Sequence, residues 1–131
     1  MSTSEGAFFT IMKYSSSFNH DLEFGEKAED WANDIFNSGK KIEIKYDRKA
    51  QYTGNIFIEY ESRGKKSGIL TTDADYWIYK IEGSECAIIL PVPFLLSKLR
   101  DFYKKKMFLV NGGDNDSSKG FLIPITRIIT K

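Results

Sequence analysis

The sequence predicts an α/β fold, a mixed β-sheet flanked by helices, and three stretches carry that prediction. Lys41 to Lys45 alternates apolar and polar residues, and Ile56, Ile58 and Tyr60 alternate with Phe57, Glu59 and Glu61, the two-residue period of a strand. Phe24, Ala28, Trp31, Ala32 and Ile35 instead recur at helical spacing. Pro91 and Pro93 separate an apolar run from a second helical pattern. Helices and strands interleaved in this order suit a layered sandwich.

At 131 residues the chain is expected to be one domain, spanning 1–131, with a genuine core. No apolar run approaches the roughly 20 residues that span a bilayer, so no membrane partner is expected. The start Met-Ser-Thr-Ser-Glu-Gly lacks the basic region of a signal peptide, which points to the cytoplasm. A single cysteine, Cys86, excludes an internal disulfide and a cysteine-rich zinc site. Its setting in Cys86-Ala-Ile-Ile-Leu90 predicts a buried strand residue. The formal net charge is only +1, but it is unevenly spread. Six acids stand against Lys27 between His20 and Asp34, whereas Lys98, Arg100, Lys104, Lys105 and Lys106 stand against Asp101 further on. That polarity suits a metal centre with phosphate-binding flanks, and equally suits ordinary helix surfaces.

Taken in order, residues 1–6 are expected to be disordered. Residues 7–14 (AFFTIMKY) fit a helix or an edge strand, and Ser15 to Ser17 form a break. Asn19 or Asp21 can cap a helix running to about Asn33. Gly25 inside it costs about 1 kcal/mol relative to alanine. At 100° per residue, Glu26 lies opposite the apolar stripe and Glu29 on its margin, so Glu29 is the better functional candidate.

Asn37-Ser38-Gly39-Lys40 reads as a tight turn with Ser38-Gly39 as a two-residue loop. The hairpin so formed sets Ile35 opposite Ile42 and Asp34 opposite Glu43, with Cβ atoms roughly 4.5–5.5 Å apart. Glu43 and Lys45 share one strand face, while Ile42 and Ile44 share the other. Two carboxylates converging beside Lys45 repel unless compensated, and a magnesium ion turns that repulsion into a site. The alternative is an exposed hairpin in which Lys45 neutralises Glu43.

Beyond a polar connection over 47–55, Ile56, Ile58 and Tyr60 mark a third strand. Arg63 to Gly68 forms a basic turn rich in backbone donors, suited to phosphate. Thr71-Thr72-Asp73 can cap a short helical turn before a fourth strand over 74–81, and 86–90 is a fifth. Phe94, Leu95, Leu99, Phe102 and Tyr103 give the helix after Pro93 its apolar face, with Lys and Arg on the remainder. A short strand over 107–110, a loop over 111–118 and a closing strand over 121–129 complete the chain, with Pro124 breaking the last strand or setting it at a sheet edge. The only histidine, His20, argues against serine–histidine or cysteine–histidine hydrolysis. The glycine-rich loops match no nucleotide-binding fingerprint.

Asp34, the turn, Glu43-Ile-Lys45 and an acid on the preceding helix together resemble the PD-(D/E)XK nuclease superfamily. Asn33 stands where the family usually has proline, and the interval from Asp34 to Glu43 is short, so Asp47 and Asp30 remain alternatives to Asp34. The stretch from Glu43 to Glu59, with Lys66-Ser-Gly-Ile69 and Ala74-Asp-Tyr-Trp77, is similar to small phage and bacterial nucleases of this class. Gly25 and Glu29 resemble the helix motif of archaeal-type Holliday junction resolvases. The similarity covers most of residues 21–125.

The resemblance implies a restriction-endonuclease-like fold and Mg²⁺-dependent hydrolysis of DNA phosphodiesters, with Mn²⁺ able to substitute. It implies that Asp34, Glu43 and the Ile44 carbonyl hold one or two ions, that Glu29 assists, and that Lys45 orients water or stabilises developing charge. Glu59 and Glu61, on the next strand, are possible supporting groups. Arg48, Lys49, Arg63, Lys65, Lys66, Lys98, Lys104 and Lys105 are the expected DNA contacts. Four-way or branched DNA is the expected substrate, and two cuts in a junction imply a homodimer. The rival reading is a non-catalytic nucleic-acid-binding module on the same fold, using Lys, Arg and Trp77 or Tyr76 for contact. A less specific nicking nuclease is a further alternative.

Overall fold

The computed structural model describes residues 18–37 and 39–130, in two compact units, Met1–Lys40 and Lys41–Lys131. The expectations for residues 1–17 and for Ser38 lie outside the described residues.

In the first unit, helix α1 spans Phe18–Asn37. No proline interrupts it, and Gly39 just beyond takes φ +69°, the left-handed conformation in which chains commonly leave helices. This corrects the expected hairpin. Asp34 and Ile35 are helical, so neither has a cross-strand partner in Glu43 or Ile42. The expected buried stripe is also reduced: Ile35 is buried and Ala32 half-buried, whereas Phe24 and Trp31 are 65% and 50% exposed. Glu29 and Asp34 are exposed.

The second unit begins with β1 (Ile42–Asp47), a short helix α2 (Ala50–Thr53), β2 (Asn55–Ser62) and β3 (Lys65–Lys66). A 3₁₀ turn (Gly68–Leu70), β4 (Tyr76–Ile81), β5 (Ala87–Pro91) and helix α3 (Val92–Lys104) follow. The remainder is β6 (Leu109–Gly112), a 3₁₀ turn (Asp114–Asp116), β7 (Ser118–Pro124) and α4 (Ile125–Ile128). The strands form two sheets rather than one. The first, in the order β1-β4-β5, is mixed, with β4 parallel to β1 and antiparallel to β5. The second, β3-β2-β7-β6, is antiparallel throughout.

Parallel strands need a long crossover, and β2 and β3 occupy the one between β1 and β4. Its register sets Glu43 beside Trp77, Lys45 beside Tyr79 and Asp47 beside Ile81. Ile56, Ile58, Phe121 and Ile123 of the second sheet share one core with Trp77, Tyr79 and Leu90 of the first and with Leu95, Leu99 and Phe102 of α3. The Tyr79 hydroxyl donates to the Phe57 carbonyl at 3.2 Å and so ties the two sheets together. Arg63 and Gly64, both at positive φ, make the two-residue turn between β2 and β3 that matches strand twist.

Four local expectations are corrected. Cys86 is exposed and precedes β5, its amide donating to Ser84 Oγ at 2.8 Å. The helical turn falls before Thr71–Asp73 instead of after it. Of the α3 stripe, Phe94 and Tyr103 are exposed. The last strand is broken at Pro124, one of the two expected alternatives: it ends there, turns into α4, and lies between β2 and β6, so the sheet-edge alternative and the extension to residue 129 are corrected. Proline is tolerated there because it is the terminal strand residue. Among the described residues no helix is long and apolar enough to cross a membrane.

Candidate functional site

Alternation along β1 decides what it presents. Ile42, Ile44 and Tyr46 are exposed on one face; Glu43, Lys45 and Asp47 are half-buried on the other. The Lys45 ammonium lies 2.7 Å from a Glu43 carboxylate oxygen and 4.7 Å from the centre of the Trp77 ring. The Thr72 hydroxyl donates to the other Glu43 oxygen at 3.3 Å and accepts from the Trp77 indole N–H at 3.1 Å and the Ala74 amide at 3.2 Å. Lys45, Glu43, Thr72 and Trp77 therefore form a closed ring of contacts in which each side chain limits the movement of the next.

Lys45 and Asp47 line a cleft of about 760 Å³ whose other walls include Arg48, Lys49, Phe57 and Tyr79. Asp47 Oδ1 accepts from the Lys49 and Ala50 amides at 2.9 and 2.8 Å and anchors the start of α2. Glu59, across the cleft, accepts from Ser67 Oγ at 2.9 Å. Burial, with the Asp47 and Glu43 carboxylates adding to it, raises the Tyr79 phenol well above the ordinary tyrosine range, so it stays a neutral donor.

The structure thus brings Glu43 and Lys45 together directly and places Arg48, Lys49 and Asp47 at the same cleft. Asp34 and Glu29 stand on α1, in the other unit. Among the described residues, no three histidine, cysteine or carboxylate side chains gather as a ready-made ion site. The other expected DNA contacts are spread over the surface. Arg63, Lys65 and Lys66 occupy the exposed β2–β3 hairpin, and Lys104 and Lys105 the end of α3. Lys98 is engaged elsewhere, donating to the carbonyls of Arg127 and Thr130. Trp77 and Tyr76 are only 1% and 8% exposed, which corrects the use of either as a contact in the rival binding-module reading.

A second groove, of about 460 Å³, runs between α3 and the second sheet, with Tyr60, Leu96 and Tyr103 in its walls and Lys66 and Lys104 at its border. Sequence reasoning missed Thr72 and Tyr79. Their signal is the parallel β1–β4 register, which no local pattern in either strand contains. Comparison of the chain with protein-family models, with curated proteins and with solved structures finds no match in any of the three.

Proposed function

We propose that the chain is a metal-dependent DNA endonuclease of restriction-endonuclease-like architecture, cutting phosphodiester bonds at the cleft beside Lys45, with branched or four-way DNA as substrate and a homodimer as the working form. One observation carries the reading: an acid and a lysine two residues apart on one strand, 2.7 Å from each other, at the border of a cleft lined by Arg48 and Lys49. Carboxylate, ammonium and basic flanks are the groups that phosphoryl transfer uses.

Lys45 is the group suited to the reacting phosphate. Its ammonium is held by Glu43 on one side and the Trp77 ring on another, and the residue lines the cleft. Arg48 and Lys49 supply charge for the neighbouring backbone phosphates. Glu43 and the Ile44 carbonyl are the β1 groups suited to Mg²⁺, a hard cation that prefers oxygen ligands. When bound, the ion acidifies a water and neutralises charge on the phosphoryl oxygens. Which further acid is required is assigned by substitution: Asp34→Asn, Glu29→Gln and Asp47→Asn are compared for the Mg²⁺ concentration that half-saturates cleavage.

The test is cleavage of an end-labelled four-way junction in Mg²⁺, beside matched duplex, flap and single strand. Paired symmetric cuts in the junction support the resolvase reading. Cutting of every substrate keeps the nuclease and removes the junction preference. Salt-sensitive binding without cutting in Mg²⁺ or Mn²⁺ replaces it with the binding module.

A further inference from the structure

Phe57 occupies space that its neighbours vacate. A Cβ built on Gly120 falls 2.6 Å from Cε2 of the Phe57 ring, and one on Gly112 falls 3.2 Å from its Cζ. Gly120 belongs to β7, next to β2, and Gly112 to β6 beyond it. The ring therefore leans over β7 toward β6 and covers two positions that carry no side chain, Gly120 and Gly112. An aromatic ring covering strand glycines is a known stabilising arrangement. Here that cover is also part of the cleft wall, in company with Lys45, Arg48, Lys49, Asn55 and Asn111.

We propose that Phe57 is a stacking platform for one unpaired base of a DNA strand whose phosphates lie against Arg48 and Lys49. The inference rests on the nuclease reading above and narrows its substrate to branched DNA in which one nucleotide at the cut is unpaired or is flipped out of the branch point. An aromatic face can stack only on a base whose own face is free. Inside a continuous duplex both faces are covered by neighbouring pairs, so the base must come from a single strand or be flipped out. The cleft supplies the remaining requirements: cations for the backbone, and, two residues before Phe57 on the same strand face, the Asn55 amide for a base edge. Stacking is indifferent to base identity, so little sequence preference follows.

The test is metal-free binding, read by fluorescence anisotropy with a labelled single strand and the matched duplex. Phe57→Leu keeps an apolar side chain of similar volume but removes the π-face; Phe57→Tyr restores it. Phe57→Leu weakens single-strand binding about tenfold and leaves duplex binding within about twofold, and Phe57→Tyr binds as wild type does. In parallel, 2-aminopurine placed at successive positions of the single strand is quenched at one position when wild-type protein saturates it, a readout that does not depend on how the variants fold. Unchanged binding by Phe57→Leu, or no quenching at any position, overturns the proposal. If cleavage is still lost in Lys45→Ala, the nuclease reading survives that failure. Absence of both binding and cleavage in the wild-type protein removes the two together.

Discussion

Lys45 and Glu43 form a 2.7 Å ion pair on the cleft face of an edge strand, and both side chains are more than a third exposed. A pair so exposed contributes little to stability, about 0–1 kcal/mol. Lys45→Ala and Glu43→Ala are therefore expected to melt within a few degrees of wild type while each lowers cleavage about 10²-fold or more. Thermal unfolding by circular dichroism, beside initial cleavage rates, checks both halves.

Thr72 carries a different expectation. Trp77 is buried, and its indole N–H has the Thr72 hydroxyl as acceptor. Thr72→Val keeps the shape and removes that acceptor, leaving a buried donor unsatisfied at a cost of about 1–3 kcal/mol. Thr72→Ser retains the hydroxyl and stays near wild type. Urea titration of the two variants separates the hydroxyl from the methyl group.

Much of this arrangement was legible in the sequence, and what was not has identifiable reasons. The alternation in Lys41 to Lys45 correctly separated Glu43 and Lys45 from Ile42 and Ile44, because side-chain period is a local property. Ile56, Ile58 and Pro93 likewise announced β2 and the start of α3. The Ser38-Gly39 pair misled, since a glycine at positive φ serves a helix end as readily as a hairpin, and α1 runs on to Asn37. The partner of β1 was out of reach for the same reason that local patterns are informative: β4 lies beyond two intervening strands, and its pairing leaves no mark within six residues of β1. Thr72, read as a helix cap, gained its role only from that pairing.

Tyr79 gives the pH dependence its sign. Its folded pKa is raised above the unfolded value by burial first and by Asp47 and Glu43 second. The folded state then holds a proton that the unfolded chain releases, so the contribution is complete below about pH 10 and is lost as pH rises beyond it. Tyr79→Phe is expected to flatten the fall in stability above about pH 10. At neutral pH it costs about 1 kcal/mol through the lost bond to the Phe57 carbonyl. Denaturant titrations at pH 7 and in the alkaline range check the two effects.

Two glycines should respond in opposite directions to alanine. Gly25 lies within α1 and, among the described residues, nothing comes within 4 Å of a Cβ placed there, so Gly25→Ala is expected to stabilise the helix by up to about 1 kcal/mol. Gly120 would place its Cβ 2.5 Å from the Ile58 carbonyl oxygen, and Gly120→Ala is expected to destabilise by about 1–3 kcal/mol. Melting curves of the two variants read the contrast directly.

The most direct measurement is the single-turnover cleavage rate of a labelled four-way junction in Mg²⁺ by wild-type protein, Lys45→Ala and Glu43→Ala, each shown folded by its melting curve. Cutting by wild type that vanishes in both variants, with junction binding retained in metal-free buffer, is the predicted result. Equal cutting by all three proteins, or no cutting by wild type despite tight binding, would contradict a catalytic role for Glu43 and Lys45.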